Sequence, residues 1–286
     1  MARTETMKPH FLIITDLDGT LLDARTYAWE PAAPALAALK SRGVPVVFCT
    51  SKTLAEVVVW AERLGLSGPH IVENGGGIAW PRDLPLPEGV AGEIEEGWTI
   101  VPLGAPYDIL RAALRDIAFE TGCRLSGLGD WTVEELAALT GLPAGEAELA
   151  RRRRFDEPFR IVGGDEEACG EAVRLSAAKR GLSVARGGRF RHLFGHGGKG
   201  AALERLLDLL PCLSGRWLTV GLGDAENDLP MLDVVDIPIL VPRPDGTYDP
   251  AVSLPGLRRA EKPGPEGWGR AVLSVLAEVI GESANG

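Results

Sequence analysis

The sequence predicts an α/β fold in which a Rossmann-like parallel sheet, with helices on both faces, is interrupted by an inserted α+β domain. Short apolar runs alternate with amphipathic helical patterns at both ends of the 286-residue chain. Alternating strands and helices form βαβ units, which give parallel sheets. This alternation breaks after the Pro-rich stretch at 81–89. We therefore predict a discontinuous core domain at 1–82 and 196–286, with an inserted domain at 83–195.

The elements of the predicted core follow in order along the chain. Strands are expected at FLIITDL (11–17), VPVVFCTS (44–51), HIVEN (70–74), RWLTVGLG (216–223) and IPILV (237–241). Helices are expected at 33–43, 53–66, 200–210, 229–235 and 267–281. The first helical pattern ends in Gly43, a typical stop signal.

The predicted insertion mixes hairpins with helices. A hairpin is expected at 93–103, a strand at 155–163 and a second hairpin at 182–195, and helices at 108–122, 132–141, 145–154 and 165–181. Because the insertion follows the third core strand and is linked to the core twice, we expect it to act as a mobile cap over a cleft.

Composition excludes several classes of protein. Charged residues make up 24% of the chain and the formal net charge is −10, which argues against a nucleic-acid-binding surface because such surfaces are basic. No apolar run reaches the roughly 18 residues of a membrane span. We therefore expect no nucleic-acid partner and no membrane, and the first ten residues are predicted to be a loose tail.

The four cysteines are far apart and form no C-x-x-C motif. Cys49 lies in an apolar run and is predicted to be a core thiol, and the spacing favours reduced cysteines in a cytoplasmic protein over a disulfide framework.

Two acidic loops follow buried strands. Asp16 and Asp18 come directly after the first strand, and Asp224, Asn227 and Asp228 follow the strand at 216–223. Ligands of open α/β sheets bind at the carboxyl ends of the strands, so both loops are expected at one site. A single D-x-D would be read as a turn or a helix cap. The pair of loops favours a site instead.

Clustered carboxylates repel one another unless a cation neutralises them. Mg²⁺ prefers oxygen ligands and keeps waters that a phosphorylated substrate can replace. No neighbouring Cys or His set suggests zinc. We therefore predict a Mg²⁺ site in these two loops and a small phosphorylated substrate.

Three further positions suit phosphate binding, each with an ordinary structural alternative. Lys199 opens a helix in the Gly-rich stretch HGGKG, where phosphate is favoured. Its alternative is a solvated helix start. Thr50 and Ser51 end the second strand and can donate to a phosphoryl oxygen, although Ser51 or Thr53 can instead cap the next helix.

Taken together, these motifs resemble those of the haloacid dehalogenase-like phosphatase superfamily. Four motifs match in order, namely DLDGT (16–20), the strand-end Thr50, Lys199 and GDAEND (223–228). The position of the insertion resembles the C2 cap subclass, type IIB. VENGGGI, FDEPF and GGRFRHLFG are similar to mannosyl-3-phosphoglycerate phosphatases, whereas GHGGKG departs from the more polar loop of that family.

The resemblance implies specific roles. Asp16 is the expected nucleophile, and Asp18 the acid and then the base. Lys199, Thr50 and Asn227 are expected to orient the nucleophile and the phosphate. The implied Mg²⁺ ligands are Asp16, the Asp18 backbone carbonyl and Asp224, with Asp228 acting nearby or through water.

Candidate substrate-binding residues lie around the cleft that this arrangement predicts. They are Ser51, Lys52, Asn74, Gly75, Arg160, Arg189 and Arg191. An arginine can bind a substrate carboxylate with two parallel hydrogen bonds. Asn74 and Gly75 can alternatively form a tight turn. The run Arg151–Arg154 is interpreted as a solvated helix end.

The sequence therefore predicts a Mg²⁺-dependent phosphatase acting on a small sugar-derived phosphate, and the resemblance implies mannosyl-3-phosphoglycerate. Another sugar-phosphate phosphatase, such as a sucrose-phosphate type, is the nearest alternative. A phosphomutase is disfavoured by the position of the insertion. A non-catalytic sugar-phosphate-binding module is disfavoured by the retention of Asp16, Asp18, Lys199 and Asp224.

Overall fold

The computed structural model describes residues 10–95, 97–211 and 216–284. Residues 1–9 of the predicted tail and Cys212 lie outside the described residues. His10, the last residue of the predicted tail, instead begins the first strand. No helix among those described is both long and apolar enough to cross a bilayer.

The described chain contains thirteen strands and nine α-helices. The strands are β1 (His10–Thr15), β2 (Val46–Phe48), β3 (His70–Val72), β4 (Gly77–Pro81), β5 (Glu93–Glu95), β6 (Trp98–Pro102), β7 (Leu125–Gly127), β8 (Asp156–Ile161), β9 (Leu182–Arg186), β10 (Arg191–Gly195), β11 (Trp217–Gly223), β12 (Ile237–Leu240) and β13 (Arg258–Arg259). The helices are α1 (Ala33–Ser41), α2 (Leu54–Leu64), α3 (Tyr107–Thr121), α4 (Val133–Thr140), α5 (Ala144–Ala150), α6 (Glu166–Ala178), α7 (Gly198–Leu209), α8 (Leu229–Val234) and α9 (Gly264–Ala284).

The main sheet has the order β13-β12-β11-β1-β2, and every neighbouring pair in it is parallel. This confirms the predicted α/β class. Strand β1 lies between β2 and β11, and its inner residues are fully buried because apolar side chains cover both faces. The sheet thereby brings the two acidic loops to the same edge, next to each other.

A second, antiparallel sheet has the order β3-β4-β6-β5. A parallel bridge between Cys49 and Ile71 connects it to the end of β2. Strand β4 was not predicted, because the glycine cluster at 75–77 indicated the end of the third strand. The hairpin of β5 and β6 was predicted within the segment 83–195, and β6 pairs with β4.

A third sheet, also antiparallel, has the order β7-β8-β10-β9. Helices α3 and α6 pack on one of its faces through an apolar cluster that includes Leu110, Ile117, Phe159, Val173 and Leu193. This sheet and its helices form the α+β part that the sequence predicted between the two core segments.

A disulfide joins Cys123, just after α3, to Cys169 in α6. The expectation of reduced cysteines is wrong for this pair. The two residues are 46 apart in sequence, and only the packing of α3 against α6 brings their Cα atoms to 5.8 Å. Cys49 is a free, fully buried thiol, as predicted.

Candidate active site

The loop after β1 carries the first acidic pair. Asp16 is buried, and its backbone N–H donates to Leu222 O of the neighbouring strand β11. Gly19 has φ +87°, and a Cβ there would lie 2.6 Å from Asp224 Oδ2. Only glycine therefore allows this loop to approach the second acidic loop so closely.

Lys199 occupies the centre of the site. Its Nζ lies 2.7 Å from Asp16 Oδ1 and 2.6 Å from Asp228 Oδ1, and the side chain is fully buried. Burial lowers the pKa of Lys199, but Asp16 and Asp228 together raise it by more, so the net shift is upward. The lysine is therefore a permanent cation, and the alternative of a solvated helix start is wrong.

The turn after β3 packs directly against the start of α7. Gly75 has φ +90°, and a Cβ on it would lie 2.2 Å from Gly198 O. A side chain at this position would push away the turn that carries Lys199. Gly75 thus allows the backbone after β3 to lie directly against the backbone at the start of α7.

Three carboxylates form an oxygen-lined cluster. One oxygen from each of Asp16, Asp224 and Asp228 lies within 4.8 Å of the others. Thr20 Oγ1 donates to Asp224 Oδ1 at 3.1 Å, and Asp228 Oδ2 accepts from the backbone N–H groups of Asp224 and Ala225.

The charges of this cluster are only partly compensated. Burial raises the pKa of Asp16 to about 7 against the lowering effect of Lys199, and Asp228 raises it further. Burial also raises the pKa of Asp224, again reinforced by Asp228 and Asp16. Lys199 is one cation for three carboxylates, so the set has the charge and the hard oxygen donors that suit a divalent cation such as Mg²⁺.

Asp18 is held by a second buried lysine. Lys52 Nζ lies 2.9 Å from Asp18 Oδ2 and 3.3 Å from Glu56 Oε1. Burial lowers the pKa of Lys52, but the two carboxylates raise it more. Asp18 Oδ1 is buried and has no hydrogen-bond partner among the described residues. One carboxylate oxygen of Asp18 is thus paired with Lys52, and the other has no hydrogen bond within the described protein.

The predicted hydroxyl and amide residues lie in the segments that follow β2, β3 and β11. Thr50 is buried, and its Oγ1 accepts from Lys52 N at 3.2 Å. Thr53, not Ser51, caps α2, with a reciprocal bond to Glu56, and Ser51 lines the cleft. Asn227 Nδ2 donates to Asn74 Oδ1 at 3.1 Å, so these two residues meet across the site.

The three candidate arginines are placed differently. Arg189 lines the cleft, where its guanidinium donates to Thr140 O and to Ala24 O. Arg160 is exposed and does not line the cleft. Arg191 packs over Gly170 of α6, with Glu166 at 3.7 Å. The structure therefore brings only Arg189 to the cleft, because β8 and β10 direct the other two side chains elsewhere.

The run Arg151–Arg154 is not uniformly solvated, contrary to the prediction. Arg153 is buried, and its Nη1 donates to Ser51 O at 2.6 Å and to Asp156 Oδ2 at 3.2 Å. Arg154 pairs with Glu93 and Glu95. The end of α5 packs against the loop that follows β2. The sequence of the arginine run contains no pattern that predicts this contact.

Glu73 is another buried group that sequence reasoning missed. Its carboxylate accepts hydrogen bonds from the backbone N–H groups of Arg154, Phe155 and Asp156, at 2.8 to 3.1 Å. Burial raises the pKa of Glu73 to about 7, although Arg153 and these N–H groups lower it. Both Glu73 and Asn74 have positive φ values, 48° and 54°. This strained turn fixes the start of β8 against the core.

These residues surround a cleft of about 800 Å³ between the acidic loops and the third sheet. One wall is apolar and comes from Leu128, Leu136 and Leu142. The opposite wall carries Asp16, Asp18, Lys52 and Asn227. The acidic wall would suit the anionic end of a ligand only together with a cation, and the apolar wall suits an uncharged part of the ligand.

Comparison with known proteins agrees with the geometry. A family model of haloacid dehalogenase-like hydrolases matches residues 13–86. A relative from Methanococcoides burtonii is 40% identical over 269 residues, 93% of this chain and 97% of the relative. It is a glucosyl-3-phosphoglycerate/mannosyl-3-phosphoglycerate phosphatase. The chain belongs to the haloacid dehalogenase-like hydrolases. The resemblance drawn from its motifs, and its assignment as a phosphatase, are confirmed.

Two further proteins are similar to this chain over most of its length. A relative from Persephonella marina with the same two-substrate name is 40% identical over 270 residues, 94% of this chain and 98% of the relative. The solved structure of a subclass IIB sugar phosphatase of the haloacid dehalogenase superfamily superposes with a TM-score of 0.60 at 14% identity, covering 95% of this chain and 99% of that one. The second similarity shows a shared fold.

Proposed function

We propose that this protein hydrolyses mannosyl-3-phosphoglycerate to mannosylglycerate and phosphate. The observation that carries the proposal is Lys199, whose buried ammonium joins Asp228 to Asp16. Asp16 in turn lines the cleft together with Asp18. The names of the two relatives at 40% identity support the substrate, and they extend the proposal to glucosyl-3-phosphoglycerate.

We propose Mg²⁺ as the cofactor. Asp16 and Asp224 would hold it with the Asp18 carbonyl, and Asp228 would act directly or through water. When bound, the cation would neutralise charge on the phosphoryl oxygens of the transition state. The support is the all-oxygen donor set and its excess negative charge.

In the proposed reaction Asp16 attacks phosphorus and the bond to the glycerate oxygen breaks, giving an aspartyl phosphate. Asp18 gives its proton to the departing alkoxide, then takes one from the water that cleaves the acyl phosphate. Lys199 stays charged and orients Asp16, while Thr50 and Asn227 position the phosphate. Phosphate leaves and Asp16 is regenerated.

We propose that the segment 83–195 serves as a cap on a discontinuous core at 1–82 and 196–286. The third sheet and α4–α5 supply the apolar wall of the cleft, which supports this role. The pairing of β5 and β6 with β4 indicates that part of the segment is attached to the core. A cytoplasmic location stays a prediction from the sequence.

A substrate carboxylate needs a cation of its own, because Lys199 is engaged by Asp16 and Asp228. Among the predicted cations, Lys52 and Arg189 line the cleft. Lys52 is already paired with Asp18 and Glu56, so we propose that carboxylate recognition depends on Arg189. An analogue without the carboxylate would leave the cation desolvated and unpaired, and its kcat/KM should fall.

A phosphate-release assay tests the proposal. The panel is mannosyl-3-phosphoglycerate, glucosyl-3-phosphoglycerate, a mannosyl glycerol phosphate without the carboxylate, and sucrose phosphate, each with and without Mg²⁺. We expect the highest kcat/KM for one of the glycosyl phosphoglycerates, and only with Mg²⁺. A preference for sucrose phosphate would overturn the proposed substrate, and equal values with and without the carboxylate would overturn its recognition.

A further inference from the structure

We propose that His192 is a specificity-determining residue that hydrogen-bonds a sugar hydroxyl of the substrate through its Nε2 atom. The inference rests on the proposed function, because it assigns the glycosyl part of that substrate to a place in the cleft. His192 lies on β10, lines the cleft and is only 5% exposed.

The imidazole ring is fixed from behind. Its Nδ1 lies 2.8 Å from Asp156 Oδ2, and Asp156 is fully buried. The same oxygen accepts from Asn74 Nδ2 at 3.3 Å and from Arg153 Nη1 at 3.2 Å. A carboxylate oxygen can only accept hydrogen bonds, so Nδ1 of His192 must carry a proton that it donates to Asp156.

Nε2 is the ring nitrogen that this arrangement leaves for a ligand. Among the residues that the structure describes, none forms a hydrogen bond with it. The space beside it is kept open by Gly187, where a Cβ would lie 3.0 Å from Nε2 and 3.3 Å from Cδ2. Gly187 does not have a positive φ, so its backbone conformation does not require glycine. The lack of a side chain instead leaves room beside the edge of the imidazole ring. A hydroxyl group suits this nitrogen because it can both donate and accept a hydrogen bond.

The hydrogen bonds also connect His192 to the reaction centre. Asn74 donates to Asp156 and accepts from Asn227 at 3.1 Å, and Asn227 neighbours Asp228. The ring and the phosphate site thus belong to one hydrogen-bonded network, which sets the distance between a bound sugar and the phosphorus. A rigid hydrogen bond to the sugar contributes to specificity because it holds the phosphorus at a fixed distance from the sugar.

Two substitutions test the roles of the two ring nitrogens separately. In His192→Asn the amide can replace Nδ1 at Asp156 but does not reach the position of Nε2. His192→Gln places its amide near that position and lacks the bond to Asp156. The measured quantity is the ratio of kcat/KM for mannosyl-3-phosphoglycerate to kcat/KM for p-nitrophenyl phosphate, which has no sugar.

We expect His192→Asn to lower this ratio about 5- to 100-fold, the effect of one unpaired polar group, mainly through a higher KM. His192→Gln should recover part of the ratio. Gly187→Ala, which keeps the histidine but puts a Cβ 3.0 Å from Nε2, should lower the ratio as well. His10→Asn, at an exposed histidine on β1, is the matched control and should keep the wild-type ratio.

Circular dichroism and thermal unfolding show which variants are folded. An unchanged ratio in folded His192→Asn would overturn the inference. This includes equal losses on both substrates, which would indicate a purely structural residue. A wild-type protein that hydrolyses p-nitrophenyl phosphate but neither glycosyl phosphoglycerate would overturn the proposed function itself, and the inference that rests on it.

Discussion

The Nζ atom of Lys199 lies 2.7 Å from Asp16 Oδ1, although the two residues are 183 positions apart in the sequence. The parallel sheet places Asp16 after β1, and the turn between β10 and α7 directs Lys199 toward it. With Asp228 also bound to Nζ, the lysine compensates two buried carboxylates at once. Both stability and activity should depend on it.

Lys199→Met keeps most of the side-chain volume and removes the charge. Breaking a buried ion pair from one side costs about 3–5 kcal/mol, so we expect the free energy of unfolding without metal to fall by that order. Activity should fall about 10²–10³-fold, as for other lost electrostatic groups. Urea unfolding and steady-state assays measure the two effects. An active enzyme of wild-type stability would contradict the central role of the lysine.

The sequence predicted this centre because each of its residues occurs in a short, recognisable motif at a strand or helix end. It predicted the parallel sheet for a similar reason, since strand and helix patterns alternate there. Strand β4 was missed because Gly75–Gly77 resemble a turn. Arg153, Glu73 and Asp156 were missed because their meeting depends on how the end of α5 and the start of β8 pack against the core. Tertiary packing of that kind leaves no local pattern.

Asp18→Asn should separate proton transfer from phosphoryl transfer. The backbone carbonyl is retained, so metal binding should persist, while loss of the acid lowers kcat about 10²–10⁴-fold for an alcohol leaving group. The loss should be smaller for p-nitrophenyl phosphate, whose leaving group needs less protonation. Asp23→Asn, in the same loop but outside the acidic cluster, is the matched control. Equal losses for the two substrates would contradict the acid role of Asp18.

Mg²⁺ should stabilise the folded protein measurably. A ligand that binds only the folded state adds about 2.7 kcal/mol to the free energy of unfolding when present at 100 times its Kd. Differential scanning fluorimetry with increasing MgCl₂ should therefore show a rising Tm in the wild type. Asp224→Asn should lose most of the rise, whereas Asp236→Asn, remote from the acidic cluster, should keep it. No Mg²⁺-dependent shift in the wild type would contradict the proposed metal site.

Glu73→Gln should loosen the connection between the core and β8. Three backbone N–H groups donate to this carboxylate, and an amide presents donors of its own to some of them. Leaving a buried donor unpaired costs about 1–3 kcal/mol, so the free energy of unfolding at pH 8 should fall by that order. Glu135→Gln, at an exposed helix cap, should have a much smaller effect. Equal stability of the two variants would show that the Glu73 hydrogen bonds contribute nothing.

His70 should make stability depend on pH. It is fully buried and stacks on Phe48, its Nδ1 accepts from Phe48 N at 3.2 Å, and burial lowers its pKa to about 3. The unfolded chain binds a proton near pH 6.5, so this contribution to stability is complete above pH 6.5 and is lost as the pH falls toward 3, at about 1.4 kcal/mol per pH unit. His70→Asn keeps an acceptor for Phe48 N and does not titrate.

The excess stability of the wild type over His70→Asn should therefore shrink between pH 6.5 and 4. Chemical denaturation at several pH values in this range measures the difference directly. In His10→Asn the removed histidine is exposed, so the curve of that variant should run parallel to the wild type. A constant difference between the wild type and His70→Asn would mean that His70 binds its proton as readily in the folded chain as in the unfolded one.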